Sequence, residues 1–284
     1  MIPGQFEYHR PDTLQSALSL LSEYGEESRV IAGGHSLIPM MKLRLAMPEH
    51  LIDLARVPEL KLIKVSGDKV TIGAMTTQHE LIDNAELASV APIIRETSLQ
   101  IADPQIRYQG TVGGNVANGD PGNDMPALMQ CLDATFTLVG PDGERTVQAR
   151  EFYEAAYFTA RDDLEILTRI SFKATGGGYA YEKQKRKIGD YATAAAAVML
   201  KKDGASCSYA SIALTNLADV PIYCQAATEL LTGSTLDAAA IEAAVKSCID
   251  AIEPVEDNRG PVEFKKHAAG MVTRRAIERA ISRC

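Results

Sequence analysis

Two short segments, each with a pair of adjacent glycines, have the composition of an anion-binding loop. They are Ala-Gly-Gly-His-Ser at residues 32–36 and Thr-Val-Gly-Gly-Asn at residues 111–115. Adjacent glycines let backbone N–H groups approach an anion, because no Cβ stands in the way. The side chains of Ser36, Thr111 and Asn115 can add hydrogen bonds. If the two loops face each other, they can bind a pyrophosphate without a lysine.

The same glycine pairs can also be interpreted as two ordinary tight turns. In a chain with 21 glycines, about one or two adjacent pairs are expected by chance. Neither segment matches the GxGxxG pattern of a Rossmann dinucleotide site or the GxxxxGK[ST] pattern of a P-loop. The residues alone therefore leave both interpretations open, and they do not support a Rossmann or kinase-type fold.

The cysteines and histidines are too scattered along the sequence to predict a metal site. The five cysteines contain no CxxC pair, and the five histidines form neither HExxH nor HxH. Iron–sulfur clusters and structural zinc usually need thiolates or imidazoles at short spacings. The odd cysteine count without close spacing indicates reduced thiols. We therefore expect no metal in this chain.

Length and composition indicate a folded protein of two domains. The chain has 284 residues, of which 46% are hydrophobic and 23% charged, and a chain of this size needs no disulfide or metal to fold. No apolar stretch reaches the roughly 18 residues of a membrane helix, and residues 1–10 lack the apolar core of a secretory signal. The net charge of −8 is unsuited to a phosphate backbone. We expect neither nucleic acid binding nor a membrane span.

The first third of the chain has the pattern of a small α/β unit that positions the first glycine loop. Apolar spacing predicts a helix over residues 14–21 that is capped by Asp12 or Thr13 and ends at Gly25. Short strands are predicted over residues 29–34 and 51–54, with a helical segment over residues 37–45.

The middle third has the pattern of an antiparallel sheet with a helix. Turn residues predict hairpins over residues 61–72 and 134–147. Residues 77–80 form a capping box that opens a helix.

The glycine run at residues 175–178 is the best candidate for a domain boundary. Beyond it, residues 192–200 are predicted as a strand, although their periodicity does not exclude a helix. Helices are predicted over residues 225–231, 238–252 and 264–282. The basic side chains of the last helix are expected to form a solvated or interface face: Lys265, Lys266, Arg274, Arg275 and Arg279.

The two glycine loops, with Asp-Pro-Gly-Asn-Asp-Met-Pro at residues 120–126, resemble the FAD-pyrophosphate loops of molybdenum hydroxylase flavoprotein subunits. This is the xanthine dehydrogenase family, and the similarity covers essentially the whole chain. It implies an α+β fold. Residues 1–176 would form a FAD-binding domain of the vanillyl-alcohol-oxidase type, with two α/β subdomains at about 1–54 and 55–176. Residues 177–284 would form a C-terminal α+β domain with a small antiparallel sheet and helices.

Matched position by position, the resemblance also implies a set of cofactor-binding residues. The loops would hold the pyrophosphate, residues 101–102 would lie near the reactive edge of the flavin, and Tyr191 would cover one face of it. Without the resemblance, Asp124 could simply cap a helix near Met125, and Tyr191 could be a core residue. The expected FAD-binding residues are Ala32, Gly33, Gly34, His35, Ser36, Ile101, Ala102, Thr111, Val112, Gly113, Gly114, Asn115, Asp124, Leu167, Lys183 and Tyr191.

No catalytic acid or base is expected in this chain, because the cofactor supplies the redox chemistry. His35 is expected to position the backbone of its loop or to contact a phosphate of the cofactor. The basic run at residues 183–187 could neutralise a reduced flavin, dock an acidic partner or be solvated. Nothing in the sequence indicates a binding site for NAD.

Segments at residues 1–4, 101–107 and 181–192 resemble most closely the branch of the family that oxidises carbon monoxide. That resemblance implies a molybdenum–copper large subunit, a small subunit with [2Fe–2S] clusters, and a dimer of heterotrimers. Electrons would pass through the FAD of this chain to an external acceptor, the quinone or cytochrome pool. We expect a cytoplasmic location, with peripheral association at the inner face of the membrane as an open alternative.

Three other functions stay open. The chain could serve another hydroxylase of the family, acting on nicotine, isoquinoline or a purine. It could be a free-standing flavin oxidoreductase with its own substrate. It could also be a non-enzymatic nucleotide-binding or assembly module whose glycine loops are only turns.

Overall fold

The computed structural model describes residues 1–284 and contains both helices and sheets throughout. None of its helices is long and apolar enough to cross a membrane. The strands are β1 (Glu7–His9), β2 (Ser28–Ile31), β3 (His50–Asp53), β4 (Ile63–Ser66), β5 (Lys69–Gly73), β6 (Thr135–Gly140), β7 (Gly143–Gln148), β8 (Tyr153–Ala155), β9 (Phe158–Thr159), β10 (Ile166–Lys173), β11 (Gly178–Gln184), β12 (Ala194–Asp203), β13 (Ser206–Thr215) and β14 (Ile222–Tyr223). The helices are α1 (Leu14–Tyr24), α2 (Leu37–Lys42), α3 (Gln78–Asp83), α4 (Ala85–Val90), α5 (Pro92–Gln100), α6 (Pro104–Gln109), α7 (Val112–Ala117), α8 (Asp124–Cys131), α9 (Gln225–Leu231), α10 (Ala238–Asp250) and α11 (Val262–Ile281).

The N-terminal unit is a parallel sheet of order β1-β3-β2 with α1 packed against it. Thr13 forms a capping box with Ser16 at the start of α1, and Gly25 follows its last residue. This confirms the predicted helix and its end. Leu18 and Leu21 of α1 pack with Ile52 of β3 in one buried cluster, and Ala32, the first residue after β2, packs against this cluster.

The middle of the chain is a five-stranded antiparallel sheet of order β4-β5-β10-β6-β7. Both predicted hairpins are present, and Thr77 and Glu80 form the predicted capping box before α3. The central strand β10 was not among the predictions. Its second half alternates buried Ile170 and Phe172 with more exposed Arg169 and Ser171, and this period of two is the signal that could have found it.

The C-terminal sheet has the order β11-β12-β13-β14 and is buried on both faces. Along β12, Ala194, Ala196 and Val198 pack toward α9, α10 and α11, while Ala195 and Ala197 belong to the core of the middle sheet. The sequence of a strand that is covered on both faces is apolar at nearly every position, without alternation. This explains why periodicity did not distinguish strand from helix here, and the strand prediction is confirmed.

The basic face predicted for α11 is wrong in part, because several of its cations have partners within the chain. Lys265 is buried, and its Nζ lies 2.9 Å from a carboxylate oxygen of Asp257. Arg279 pairs with Glu96 and Glu182. Burial of a cation is tolerated only where a carboxylate compensates the lost hydration, and tertiary packing brings those carboxylates to the helix.

Gly178 is a sensitive point in the packing of α11 onto β11. A Cβ at Gly178 would overlap the carbonyl oxygen of Ala280 near the end of α11. We expect Gly178→Ala to lower the free energy of unfolding by about 1–3 kcal/mol, the usual cost of overpacking. Urea unfolding would measure it. Gly204→Asn is the control, because Gly204 has a φ of +59° and open space around it; equal stability of both variants would contradict this packing.

Candidate functional site

A cavity of about 490 Å³ lies where the three sheets approach one another. Both glycine loops line it, together with Ile101, Leu167 and Lys183. Indeed, every predicted cofactor-binding residue lines this cavity except Val112. Val112 is fully buried in the core of the middle sheet, because it is the first residue of α7 and its side chain points away from the loop surface.

The first glycine loop leaves its backbone donors free. The N–H groups of Gly33, Gly34, His35 and Ser36 donate no hydrogen bond to any atom of the chain. Gly34 has a φ of +73°, in the left-handed region that favours glycine. Successive N–H groups around such a residue form a concavity suited to an anion. Residues 33–36 therefore have the expected character of an anion-binding loop.

The second glycine loop differs from the prediction, because its donors are engaged within the chain. The amide of Gly113 donates to the carbonyl of Ala74 at 2.9 Å, and that of Gly114 to Oγ1 of Thr111 at 3.1 Å. The amide of Asn115 donates to the carbonyl of Thr111. The last two bonds form because the loop is the capped first turn of α7, and the first forms because Ala74 of another segment packs against it. The second loop therefore supplies shape and side chains rather than bare amides.

The two loops lie directly against each other. A Cβ at Gly33 would collide with the carbonyl of Gln109, and one at Gly114 would lie 3.5 Å from Cβ of Ala32. Glycine is thus required at position 33 for close packing of backbone on backbone. The loop after β2 rests on the segment before α7, and this contact fixes its position at the edge of the cavity.

A buried ion pair faces the cavity from two other elements. The Nζ of Lys183 lies 2.8 Å from Oδ2 of Asp124, with side chains 1% and 6% exposed. The hydroxyl of Tyr181 donates to Oδ1 of Asp124 at 2.5 Å, and Lys183 also donates to the carbonyl of Gln100. Asn123 occupies the N-cap position of α8, and the two carboxylate oxygens of Asp124 accept from Lys183 and Tyr181. The alternative that Asp124 only caps the helix is therefore wrong.

The basic run at residues 183–187 is divided between buried and exposed positions. Besides the buried Lys183, Lys185 donates to the side chain of Gln100 at 2.6 Å, and Arg186 to Asp190 at 2.8 Å. Burial and the neighbouring Lys183 lower the pKa of Lys185. The run as a whole is not a solvated segment.

Residues 101 and 102 form a strained corner at the cavity wall. Ala102 has a φ of +42°, and such backbone costs on the order of 1–3 kcal/mol for a residue with a side chain. Arg107 holds the corner by donating to the carbonyl of Ile101 at 2.9 Å and to that of Ala102 at 3.4 Å. Strain that the surroundings maintain in this way is typical of ligand-binding walls.

Tyr191 stands at the mouth of the cavity, with 40% of its surface exposed. The guanidinium of Arg259 lies 5.5 Å from its ring centroid, which is within the range of a cation–π contact. Tyr191 is therefore not a core residue, and one face of its ring can meet a ligand. Leu167 lies at a register shift of β10, where a bulge turns the strand at the cavity wall.

Sequence reasoning missed several residues of the site. Tyr181 was not predicted; burial, with the adjacent Asp124, raises its pKa well above the ordinary value, so it stays a neutral donor. Arg161 and Glu165 also line the cavity. The Nη1 of Arg161 donates to the carbonyl of Glu165 at 2.9 Å. The charged cluster before β10 was the signal available for these two residues.

The ion pair between Lys183 and Asp124 makes a stability prediction. Lys183→Met leaves a buried carboxylate without its cation, which should cost about 3–5 kcal/mol in the free energy of unfolding. The double variant with Asp124→Asn should recover most of this loss, because no buried charge remains. Chemical unfolding would measure both. Lys187→Met, in the same run but exposed, is the matched control, and a single variant as stable as this control would contradict the account.

The comparisons with known proteins agree along the whole chain. Residues 4–172 match the family model of the FAD binding domain in molybdopterin dehydrogenase, and residues 179–280 that of the CO dehydrogenase flavoprotein C-terminal domain. The chain is 57% identical to the carbon monoxide dehydrogenase medium chain of Afipia carboxidovorans, over 100% of this chain and 99% of that protein.

Solved structures extend this similarity to the fold. A chain in the crystal structure of the cyanide-inactivated Cu,Mo-CO dehydrogenase aligns with a TM-score of 0.98 at 57% identity, over 100% of both chains. A chain of quinoline 2-oxidoreductase from Pseudomonas putida 86 aligns with a TM-score of 0.95 at 31% identity, over 99% of both. The chain therefore belongs to the family of FAD-binding flavoprotein subunits of the molybdenum hydroxylases.

Proposed function

We propose that this chain is the FAD-binding, electron-transferring subunit of a molybdenum–copper carbon monoxide dehydrogenase. One observation carries the choice of enzyme within the family, namely 57% identity to a carbon monoxide dehydrogenase medium chain over the full length. The cavity supports the choice of cofactor. Its volume of about 490 Å³ falls within the roughly 300–1,000 Å³ of small-molecule and cofactor sites.

The first glycine loop would bind the pyrophosphate of FAD. Four successive N–H groups at residues 33–36 lack partners in the chain, and backbone donors left without partners are costly unless a ligand or water satisfies them. The hydroxyl of Ser36 and the side chain of Asn115 line the same cavity. The loop at residues 111–115 would form the border of the pyrophosphate site. Because Gly114 has no side chain, it would leave space there for the pyrophosphate.

Another part of the cavity wall would hold the isoalloxazine ring. Ile101, Ala102 and Leu167 give it an apolar wall, and Tyr191 would cover one face. The ammonium of Lys183, kept in place by Asp124 and Gln100, would favour negative charge on the ring. FAD, when bound, accepts electrons and passes them on. The residues of this chain bind it, orient it and set the charge around it.

We propose that the electrons come from partner subunits. A molybdenum–copper large subunit would convert carbon monoxide and water to carbon dioxide, and a small subunit would relay the electrons through [2Fe–2S] clusters. The assembly would be a dimer of heterotrimers. From FAD the electrons would pass to an external acceptor, a quinone or cytochrome, with the complex in the cytoplasm and in peripheral contact with the inner face of the membrane.

A second candidate is the same role in a hydroxylase of N-heterocycles. The TM-score of 0.95 to a chain of quinoline 2-oxidoreductase supports this second candidate, because the fold does not distinguish the two enzymes. The lower identity of 31% to that chain argues for the carbon monoxide enzyme. A free-standing oxidoreductase or a non-enzymatic module is disfavoured by full-length similarity to a subunit of a larger enzyme.

The electron source can be tested in the intact complex, purified from cells that express all its subunits. Carbon monoxide under anaerobic conditions should bleach the visible absorption of the flavin, because electrons from the large subunit reduce it. Quinoline and nicotine serve as the matched reductants. Bleaching by a heterocycle but not by carbon monoxide would support the hydroxylase of N-heterocycles instead. If neither carbon monoxide nor a heterocycle reduces the flavin, both candidate functions are contradicted.

The glycine loops predict where flavin binding fails. Gly114→Val adds a side chain next to Oγ1 of Thr111, which would be only 2.9 Å from its Cβ, and fills the space for the pyrophosphate. We expect at least a tenfold loss of FAD per complex, with iron content unchanged. Gly67→Asn, at an open turn with a φ of +64°, is the control. Normal FAD content in Gly114→Val would exclude this loop from the site.

A further inference from the structure

The parallel pairing of β1 with β3 brings His50 next to Glu7 and His9, from which it is more than 40 residues distant in the sequence. Glu7 is the register partner of His50, and His9 follows Glu7 by two residues on the same strand. Side chains two residues apart on a strand share a face, so all three project toward the end of α1. No spacing rule could have predicted this cluster, because His50 is on a different strand.

The distances within this cluster suit a single divalent ion. The Nε2 of His9 lies 3.0 Å from Nδ1 of His50, and Oε2 of Glu7 lies 3.8 Å from the same Nδ1. Nitrogen and oxygen ligands lie about 2.0–2.1 Å from a zinc ion. Two such ligand atoms are therefore about 2.9 Å apart in octahedral coordination and about 3.4 Å apart in tetrahedral coordination. The two imidazoles already meet this spacing. Glu7 is 74% exposed, so its carboxylate can rotate to complete it.

Tyr24 at the end of α1 holds the two imidazoles in place. Its ring stacks on His50 with centroids 3.8 Å apart and an interplanar angle of 7°, and on His9 at 5.0 Å and 27°. The side chain of His50 is only 14% exposed. Ligands that packing orients before the ion arrives lose little conformational entropy on binding.

We propose that Glu7, His9 and His50 form a binding site for a borderline divalent transition metal, with zinc as the first candidate. Two imidazole nitrogens and one carboxylate suit Zn²⁺, Ni²⁺ or Cu²⁺, whereas Mg²⁺ and Ca²⁺ prefer sites of oxygen alone. Water would fill the remaining position or positions. The expectation of a chain without metal, drawn from sequence spacing, is revised by this inference.

The site would stabilise the attachment of the N-terminal strand. β1 has only three residues and lies at the edge of its sheet. On one face of β1, Tyr8 donates a hydrogen bond to Asp53. On the other face, the proposed ion would link Glu7 and His9 to His50 of β3, so that both faces of β1 are attached. This role is separate from the flavin cavity, because none of the three ligands lines it.

Calorimetric titration of the chelator-treated full chain with ZnCl₂ tests the site. We expect one Zn²⁺ per chain, with at least a tenfold weaker affinity in His9→Gln and in His50→Gln. A Co²⁺ stand-in should give a visible ligand-field absorption that these variants lack, which distinguishes imidazole ligation from nonspecific binding. Zinc should also raise the melting temperature of the wild-type chain and not that of the variants.

His267→Gln is the matched control, because this histidine is exposed on α11 and belongs to no cluster. Far-ultraviolet circular dichroism would establish that each variant keeps its fold. If the wild-type chain binds zinc no more tightly than the two histidine variants do, the proposal is overturned. In that case the contact between His9 and His50 is a hydrogen bond and nothing more.

Discussion

The whole site depends on the contact of one backbone segment with another at Gly33. The loop after β2 packs so closely on the carbonyl of Gln109 that a Cβ cannot be accommodated. This packing leaves the amides of residues 33–36 without partners at the edge of the cavity. Free backbone donors in a rigid turn are a preorganised anion site. The parallel sheet and α1 behind the loop serve chiefly to hold it in this position.

The ion pair of Asp124 and Lys183 performs a complementary role at the wall of the same cavity. It joins α8 to β11, so the same interaction that stabilises the packing of the C-terminal sheet also places an ammonium at the wall of the cavity. Tyr181 supports it through a hydrogen bond from its neutral hydroxyl to the carboxylate. A buried cation with one carboxylate and one carbonyl as partners is fixed in space, and a fixed charge is already in place when a ligand enters the cavity.

Local signals in the sequence were sufficient for much of the fold, whereas most of the predicted site came from resemblance to a known family. The capping boxes at Thr13 and Thr77 and the hairpin turns depend on neighbouring residues, and the structure contains them as predicted. The predicted FAD residues depended on resemblance, and all but Val112 line one cavity. What sequence reasoning missed were partners from distant parts of the chain, such as Glu96 for Arg279 and Asp124 for Tyr181.

The sequence by itself determined which segments could turn, cap a helix or expose a backbone without side chains, because these properties belong to a few adjacent residues. Only the tertiary structure decided which glycine loop keeps its donors free. The amide of Gly113 is engaged because Ala74 from another segment packs against it. Only the register of β1 on β3 brings Glu7 and His9 to His50. Contacts between distant segments depend on how the sheets assemble, and no local pattern encodes that assembly.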